Sequence, residues 1–235
     1  MPEYMILIHE PLSTGATLAP TETRSLLDQQ AAYAQKLRAL SAYVDGERLR
    51  PSNEGRRVRG GAAEPQVIAG PLDEPSLEAY HVVRAVDLDA ALDLAKQFPV
   101  PSGTSIEVRP VMSGHLEPEK TSEQGRLFAF AVLGSAPNEG AWTEIMDRID
   151  ERTHDHFPEQ QFRGGARLEA PSRGRQIRTS GGRRAIFDGP FLESKEVIGG
   201  LFFMCMASLE EAVAWAKESA FVEYGTLEIR ELWRS

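Results

Sequence analysis

The sequence contains a single cysteine among its 235 residues. An intramolecular disulfide and a thiolate metal cluster are therefore excluded. The cysteine, Cys205, lies in the apolar run from Leu201 to Met206, where a thiol usually packs as a small buried hydrophobe. We predict that Cys205 is a core residue, because a nucleophilic thiol needs an electropositive and partly exposed setting.

Long hydrophobic runs and an excess of basic charge are absent as well. No stretch has the roughly 18 consecutive apolar residues needed to span a bilayer, and Met1 to Pro11 lacks the basic start and long apolar segment of a signal peptide. We therefore expect a soluble, cytoplasmic protein without a membrane partner. The formal net charge of -9 argues against a nucleic-acid partner, because such binding needs a basic surface.

Common cofactor, metal and nucleophile motifs are also missing. The glycine pairs, such as Gly60-Gly61 and Gly199-Gly200, lack the lysine of a phosphate loop and the spacing of a dinucleotide-binding turn, and no Gly-x-Ser-x-Gly elbow occurs. His154 and His156 do not converge on a helix face as an i, i+4 zinc pair would. The sequence implies no cofactor and no metal.

What the sequence does contain is a self-similarity at a nearly constant offset. Gly46-Glu47-Arg48-Leu49 is echoed by Gly165-Ala166-Arg167-Leu168. After a slip of register, Glu107-Val108-Arg109 matches Glu228-Ile229-Arg230. We predict two repeats, residues 1–111 and 126–235, joined by a polar linker at 112–125.

Each repeat has the pattern of a β-α-β-β-α-β unit with an elaborated middle. In the first, a strand from Tyr4 to His9 precedes a helix that Thr21 would cap and that runs to about Ala42. In the second, Ser208 and Glu211 form a capping box for the last helix. The fold class predicted is α+β, two ferredoxin-like βαββαβ repeats with the helices on one face of each sheet.

The strands do not alternate between apolar and polar residues. Leu201, Phe203 and Cys205 would lie on one face of their strand, with Phe202, Met204 and Met206 on the other. Leaving such side chains in water would cost roughly 1.5 to 3 kcal/mol each. We therefore expect the two sheets to pack face to face as an intramolecular pseudo-dimer, with a homodimer as the alternative.

The segment from Asp188-Gly189-Pro190-Phe191 through Lys195-Glu196, followed by Gly199-Gly200, resembles the signature of the DGPF family, also called YCII-related. The motif is degraded in the first repeat, where Ala69 replaces the aspartate. The resemblance covers nearly the whole chain in two copies. It implies a ferredoxin-like fold related to dimeric α/β barrels.

The resemblance also bears on activity. Some relatives are encoded beside extracytoplasmic-function sigma factors, and a YCII-type relative acts as a dehydrochlorinase on a chlorinated hydroxyquinol. YCII-type members have an acid near the end of the first strand, which matches Glu10, and a histidine on the first helix. Gln30 and Ile149 stand near the position expected for that histidine.

Several residues are candidates for a site. His9 and Glu10 could relay a proton, although neighbours on a strand point to opposite faces. Asp188-Gly189-Pro190 is a turn by its chemistry, and it could also place Asp188 and Lys195 at a pocket rim with Phe191 as an apolar wall. Arg178, in a basic hairpin, could bind a carboxylate or phosphate or could keep a strand edge solvated.

We predict a small-molecule-binding protein. Two classes of function remain open at this level. One is a lyase or isomerase acting on a small organic acid or phenolic compound, and the other is a non-catalytic regulatory or interaction protein linked to an extracytoplasmic-function sigma factor. The sequence does not decide whether the protein is an enzyme.

Overall fold

The computed structural model describes residues 1–11, 19–60, 64–72, 76–116, 125–134, 138–153, 157–158, 160–188 and 196–233. The chain divides into two compact units. Unit 1 comprises Met1–Glu47, Asp73–Val111 and Ser172–Pro190, and unit 2 comprises Arg48–Leu72, Met112–Pro171 and Phe191–Ser235. Each unit thus draws on three separate stretches of sequence.

Runs of strands are separated by helices along the chain, an α+β order. They are β1 (Glu3–Glu10), α1 (Pro20–Ala39), β2 (Tyr43–Arg48), β3 (Arg56–Arg59), β4 (Gln66–Ala69), β5 (Ser76–Arg84), α2 (Leu88–Ala95), β6 (Ser105–Leu116), β7 (Arg126–Gly134), α3 (Glu139–Thr153), β8 (Phe162–Leu168), β9 (Arg175–Ser180), β10 (Arg183–Asp188), β11 (Val197–Met206), α4 (Leu209–Glu218), α5 (Phe221–Tyr224) and β12 (Thr226–Glu231). No helix within the described ranges is long and apolar enough to cross a membrane.

The sheet of unit 1 has the strand order β2-β5-β1-β6-β9-β10. Strand β1 is antiparallel to both β5 and β6, and β6 is antiparallel to β9. The last two strands, β9 and β10, form a hairpin that comes from much later in the chain than the other four.

The sheet of unit 2 has the corresponding order β8-β11-β7-β12-β3-β4. Here the hairpin β3-β4 comes from the first half of the chain and pairs with β12. The α+β class and the ferredoxin-like βαββαβ order are confirmed. The sequence pattern did not predict that each unit would take its outer hairpin from the other half of the chain.

Local sequence explains where several of the helices begin. The side chain of Asp87 accepts a hydrogen bond from Ala90 N at 2.8 Å, and Ser208 Oγ accepts one from Glu211 N at 3.2 Å, as its capping box predicts. Helix α1 differs from the prediction: it begins at Pro20 and ends at Ala39. Proline suits the first helical position because it lacks the N–H that would have no partner there.

The prediction that strands are apolar on both faces is confirmed by their burial. On the helix-side face of unit 1, Tyr4, Ile6 and Ile8 pack in a core with residues of α1 and α2. On the opposite face, which we call the second face, Met5 and Leu7 are also buried. Cys205 in unit 2 is buried as predicted.

Strand β6 is longer than the pattern suggested. It continues through Leu116, into the segment predicted as a linker. Gly114 adopts φ +116°, and a Cβ there would lie 2.2 Å from the carbonyl oxygen of Gly165. A side chain is thus excluded where this part of β6 passes β8, which is the physical reason for glycine at the position.

Candidate functional site

Several polar side chains lie together on the second face of unit 1, the face on which Met5 and Leu7 are buried. Register explains the grouping: His9 lies opposite Ser105 in β6, and Ser105 lies opposite Arg178 in β9. Residues two apart on a strand share a face. We call this group the second-face cluster, and its members are His9, Ser105, Glu107, Arg109, Gln176 and Arg178.

Glu107 is the centre of the second-face cluster. Its Oε1 lies 3.1 Å from Nη1 of Arg109, and its Oε2 lies 4.0 Å from Nε2 of His9. The His9 side chain is 18% exposed and the Glu107 side chain 9%, so the imidazole is the more accessible of the two. A carboxylate beside an imidazole stabilises the imidazolium, which lets the histidine accept a proton near neutral pH.

Arg109 is wholly enclosed, with 0% of its side chain exposed. Burial lowers the pKa of its guanidinium, and the negative charge of Glu107 opposes that shift. The side chain packs against Gly174, where a Cβ would come within 2.7 Å of Arg109 Cγ. A glycine just before β9 therefore makes room for the arginine that neutralises Glu107.

Gln176 and Arg178 border the cluster on β9. Gln176 lies opposite Glu107 in register and is 2% exposed. Its Oε1 accepts a hydrogen bond from Arg178 Nε at 2.9 Å, and the guanidinium of Arg178 lies 5.0 Å from the ring centroid of Phe187. Ser105 is buried between His9 and Arg178, and its Oγ has no hydrogen-bond partner among the described residues.

A partly buried acid, Asp45 in β2, lies at the opposite edge of the same unit. The hydroxyl of Tyr80 donates to Oδ2 of Asp45 at 2.7 Å. Burial raises the pKa of Asp45, and the hydrogen bond from Tyr80 partly offsets that rise. Burial also raises the pKa of Tyr80 well above its ordinary value, with the charge of Asp45 as the next cause.

Unit 2 carries a related group, in which Leu133, Thr226 and Arg57 hold the positions of His9, Ser105 and Gln176. Glu228 pairs with Arg57 at 2.8 Å and with Arg230 at 3.2 Å, and Arg57 holds the register position beside Glu228 that Gln176 holds beside Glu107. Leu133 lies opposite Thr226, as His9 lies opposite Ser105. In unit 2 the acid is thus neutralised by two guanidiniums and has no imidazole at the matching position.

The structure brings together some of the residues predicted from sequence. His9 and Arg178 lie in one row across β1, β6 and β9. Glu10 is buried at the end of β1, one residue beyond His9, and a register shift in the pairing of β1 with β5 occurs between Ile8 and His9. Their roles in a site stay predictions.

Asp188 lies apart from His9 and Arg178. It is opposite Arg175 in register, and its Oδ1 accepts from Arg175 Nε at 2.7 Å with 88% of the Asp188 side chain exposed. Arg175 is three positions from Arg178 and so points to the other face of the sheet. Phe191, Lys195, His154 and His156 lie outside the described residues.

Sequence reasoning did not select Glu107, Arg109 or Gln176 for the site. The signal was present, because Glu107-Val108-Arg109 recurs as Glu228-Ile229-Arg230. Two charges at i and i+2 in an apolar strand must share a face, and a buried charge needs a partner. Gln176 had no such signal, since its contact with Glu107 depends on the pairing of β6 with β9.

Unit 2 also has a surface cavity of about 640 Å³. Its lining includes Arg59, Glu196, Lys217 and Glu223. Arg59 Nη2 and Glu196 Oε2 are 3.1 Å apart, so two of these charges already neutralise each other. Among the described residues that the sequence singled out for a site, His9, Glu10, Arg178 and Asp188, none lines this cavity.

The YCII-related domain matches residues 114–235, which is slightly more than half of the chain. The chain belongs to the YCII-related family. An uncharacterized protein of Rhizobium meliloti (strain 1021) is 36% identical over 69 residues. That match covers 28% of this YCII-related chain and 56% of the relative, so the chain spans about half the length of the curated relative it matches.

Solved structures similar to this YCII-related chain include a candidate chlorite dismutase, with 12% identity and a TM-score of 0.43 over 100% of this chain and 96% of that one. A candidate monooxygenase from Fusobacterium nucleatum subsp. nucleatum ATCC 25586 has 13% identity and a TM-score of 0.44 over 98% of this chain and 91% of that one. A heme-binding protein from Thermus thermophilus has 8% identity and a TM-score of 0.39 over 99% of this chain and 91% of that one. Likenesses at this level carry no information on what this chain binds.

Proposed function

We propose that this YCII-related protein binds a small organic acid or phenolic compound at the second-face cluster of unit 1 and transfers a proton on it, as a lyase or isomerase does. The observation that carries the proposal is the contrast between the units. Glu107 has an imidazole 4.0 Å away, whereas Glu228 is held between two arginines. A histidine beside a carboxylate can exchange a proton near neutral pH, and an arginine cannot.

The roles follow from chemistry and exposure. His9 Nε2 accepts the proton from a carbon next to the substrate carboxylate or from a phenolic hydroxyl, and Glu107 stabilises the imidazolium that forms. Arg178 offers a planar guanidinium to the substrate carboxylate or phenolate. Ser105, buried in the same row, supplies a hydroxyl to the same anion.

Tandem organisation is part of this proposal. Both units have the same strand order, and the family match lies in the second half of the chain. We infer that duplication left unit 2 with a structural Glu-Arg-Arg group and unit 1 with the proton-transferring version. Glu10, Asp188, Phe191 and Lys195 remain secondary candidates for contacts with the ligand.

The experiment is solvent exchange. Purified protein in D2O is incubated with a panel of 2-hydroxy acids, 2-oxo acids and dihydroxyphenols, and loss of carbon-bound hydrogen is followed by proton NMR. We expect one class to exchange, His9→Gln to abolish that exchange, and Arg178→Gln to raise KM more than it lowers kcat.

Arg59→Gln is the matched control, because Arg59 lies opposite Thr226 in unit 2 as Arg178 lies opposite Ser105 in unit 1. It should leave the exchange rate unchanged, and thermal unfolding should show that all variants fold. Exchange that survives His9→Gln at the wild-type rate, or the absence of exchange with every class in the panel, contradicts the proposal.

A further inference from the structure

Strand β10 is the outermost strand of unit 1 and presents an unusual edge. It pairs with β9 over six residues, from Arg183 to Asp188, and no described strand pairs with its other side. Ile186 and Phe187 are each 45% exposed. An open edge that carries large apolar side chains is a template for pairing with another strand.

The edge is held in regular geometry on its inner side. Gly181 and Gly182 form a two-residue turn with φ 55° and 75°, the conformation that matches the twist of a hairpin. Strand β9 is in turn paired with β6. The outer row of N–H and C=O groups of β10 is therefore fixed in the orientation that a further strand requires.

The order of charged residues along β10 indicates which strand can pair with its open edge, namely a second copy of β10. Arg184, Ile186 and Asp188 share one face, because they are two residues apart. If a second copy of β10 pairs antiparallel with Ile186 opposite Ile186, then Arg184 lies opposite Asp188 of the second copy, and the reverse pair forms by symmetry. The same register places Ala185 opposite Phe187.

The existing contacts of these charges are compatible with the pairing. Arg184 Nη2 donates to the carbonyl oxygen of Phe98 at 2.6 Å, and this hydrogen bond uses one of the two terminal nitrogens of the guanidinium. Asp188 accepts from Arg175 at 2.7 Å but is 88% exposed. In the pair, Asp188 would lie between Arg175 of its own chain and Arg184 of the second copy.

We propose that β10 is a self-association edge, through which two copies of this chain join their unit 1 sheets antiparallel about Ile186. The outer edge of unit 2 is different. Strand β4, Gln66-Val67-Ile68-Ala69, also exposes Val67 and Ile68, but it is shorter and carries no charge. It has no charge pair to fix a register and therefore serves as the internal control.

The test is sedimentation velocity of the full chain from low to high micromolar concentration. The wild type should show a concentration-dependent monomer–dimer equilibrium. Ile186→Lys, Arg184→Asp and Asp188→Arg should each raise the dissociation constant about tenfold or more, since each places like charges in opposition at the edge. The double variant Arg184→Asp with Asp188→Arg reverses both signs across the edge and should associate more tightly than either single reversal, without full recovery because Asp188→Arg also breaks the pair with Arg175.

Ile68→Lys on β4 should leave the dissociation constant unchanged, and thermal unfolding verifies the fold of each variant. A wild type that is monomeric at every concentration overturns the proposal. So does a double variant that associates no better than the single charge reversals, or an Ile68→Lys variant that dissociates the dimer, which would place the contact at β4 instead.

Discussion

Glu107 and Arg109 form a buried ion pair two residues apart on one strand, with 3.1 Å between Oε1 and Nη1. Both side chains point to the second face of unit 1, because residues at i and i+2 do so on any strand. Arg109 offsets the cost of burying the Glu107 carboxylate, and the His9 imidazole lies on the more accessible side of the pair.

Removing the carboxylate should be costly for folding. We expect Glu107→Gln to lower the free energy of unfolding by about 3 to 5 kcal/mol, because the Arg109 charge then loses its neutralising partner while remaining buried. Urea unfolding followed by circular dichroism measures the change. As a control, Glu3→Gln removes a carboxylate from the half-exposed pair with Arg84 and should cost less than about 1 kcal/mol. Equal losses in the two variants would contradict the buried-pair interpretation.

Gly174 should not tolerate a side chain. A Cβ there would lie 2.7 Å from Arg109 Cγ and 2.9 Å from the carbonyl oxygen of Val108, and a backbone atom cannot move aside as a flexible side-chain end can. We expect Gly174→Ala to destabilise the protein by about 1 to 3 kcal/mol in urea unfolding.

Gly134 provides the matched control for that substitution. A Cβ at Gly134 would meet nothing within 4 Å, so Gly134→Ala should change stability by no more than about 0.5 kcal/mol. A loss at Gly174 no larger than the change at Gly134 would show that the Arg109 side chain repacks freely.

Asp45 should make stability depend on pH. Burial raises the pKa of Asp45 in the folded protein, so folding favours its protonated form. The contribution of Asp45 to the free energy of unfolding is therefore fully present below its pKa in the unfolded chain, about 3.9. This contribution is lost as the pH rises through the higher pKa that Asp45 has in the folded protein. We expect Asp45→Asn, which cannot ionise, to gain stability relative to wild type as pH rises over that range, as measured by urea unfolding at a series of pH values.

Tyr80→Phe tests the cause of the Asp45 shift. The Tyr80 hydroxyl lowers the pKa of Asp45 by hydrogen bonding to its charged form, so removing the hydroxyl should move the pH-dependent loss of stability to higher pH. A difference between wild type and Asp45→Asn that is constant with pH would exclude Asp45 as the titrating group.

Much of the fold could be predicted because it depends on short-range patterns. The capping residues Ser208 and Glu211, for example, predict the helix that the structure contains at Leu209–Glu218. The prediction was less accurate where long-range pairing intervened, as in β6, which continues through Leu116. The cytoplasmic location and the boundaries of the repeats stay predictions.

The candidate site was only partly accessible to sequence reasoning. His9 and Arg178 were selected for their chemistry, and the structure places them in one row. Asp188 was selected with Arg178, but its partner Arg175 points to the opposite face. Side chains alternate between the two faces along β9, so Arg175 and Arg178 lie on opposite faces. The sequence alone does not show that Asp188 pairs with Arg175, because that depends on the register between β9 and β10.

The sequence by itself determined the order of strands and helices, the burial of both strand faces and the recurrence of an acid and an arginine two residues apart, because these depend on the local alternation and periodicity of side chains. Only the tertiary structure decided that β9 lies beside β6 and β3 beside β12. These two strand pairings place Gln176 next to Glu107 and Arg57 next to Glu228. Strand pairing between distant segments depends on the packing of whole sheets, so local sequence could not specify that Gln176 would neighbour Glu107 and Arg57 would neighbour Glu228.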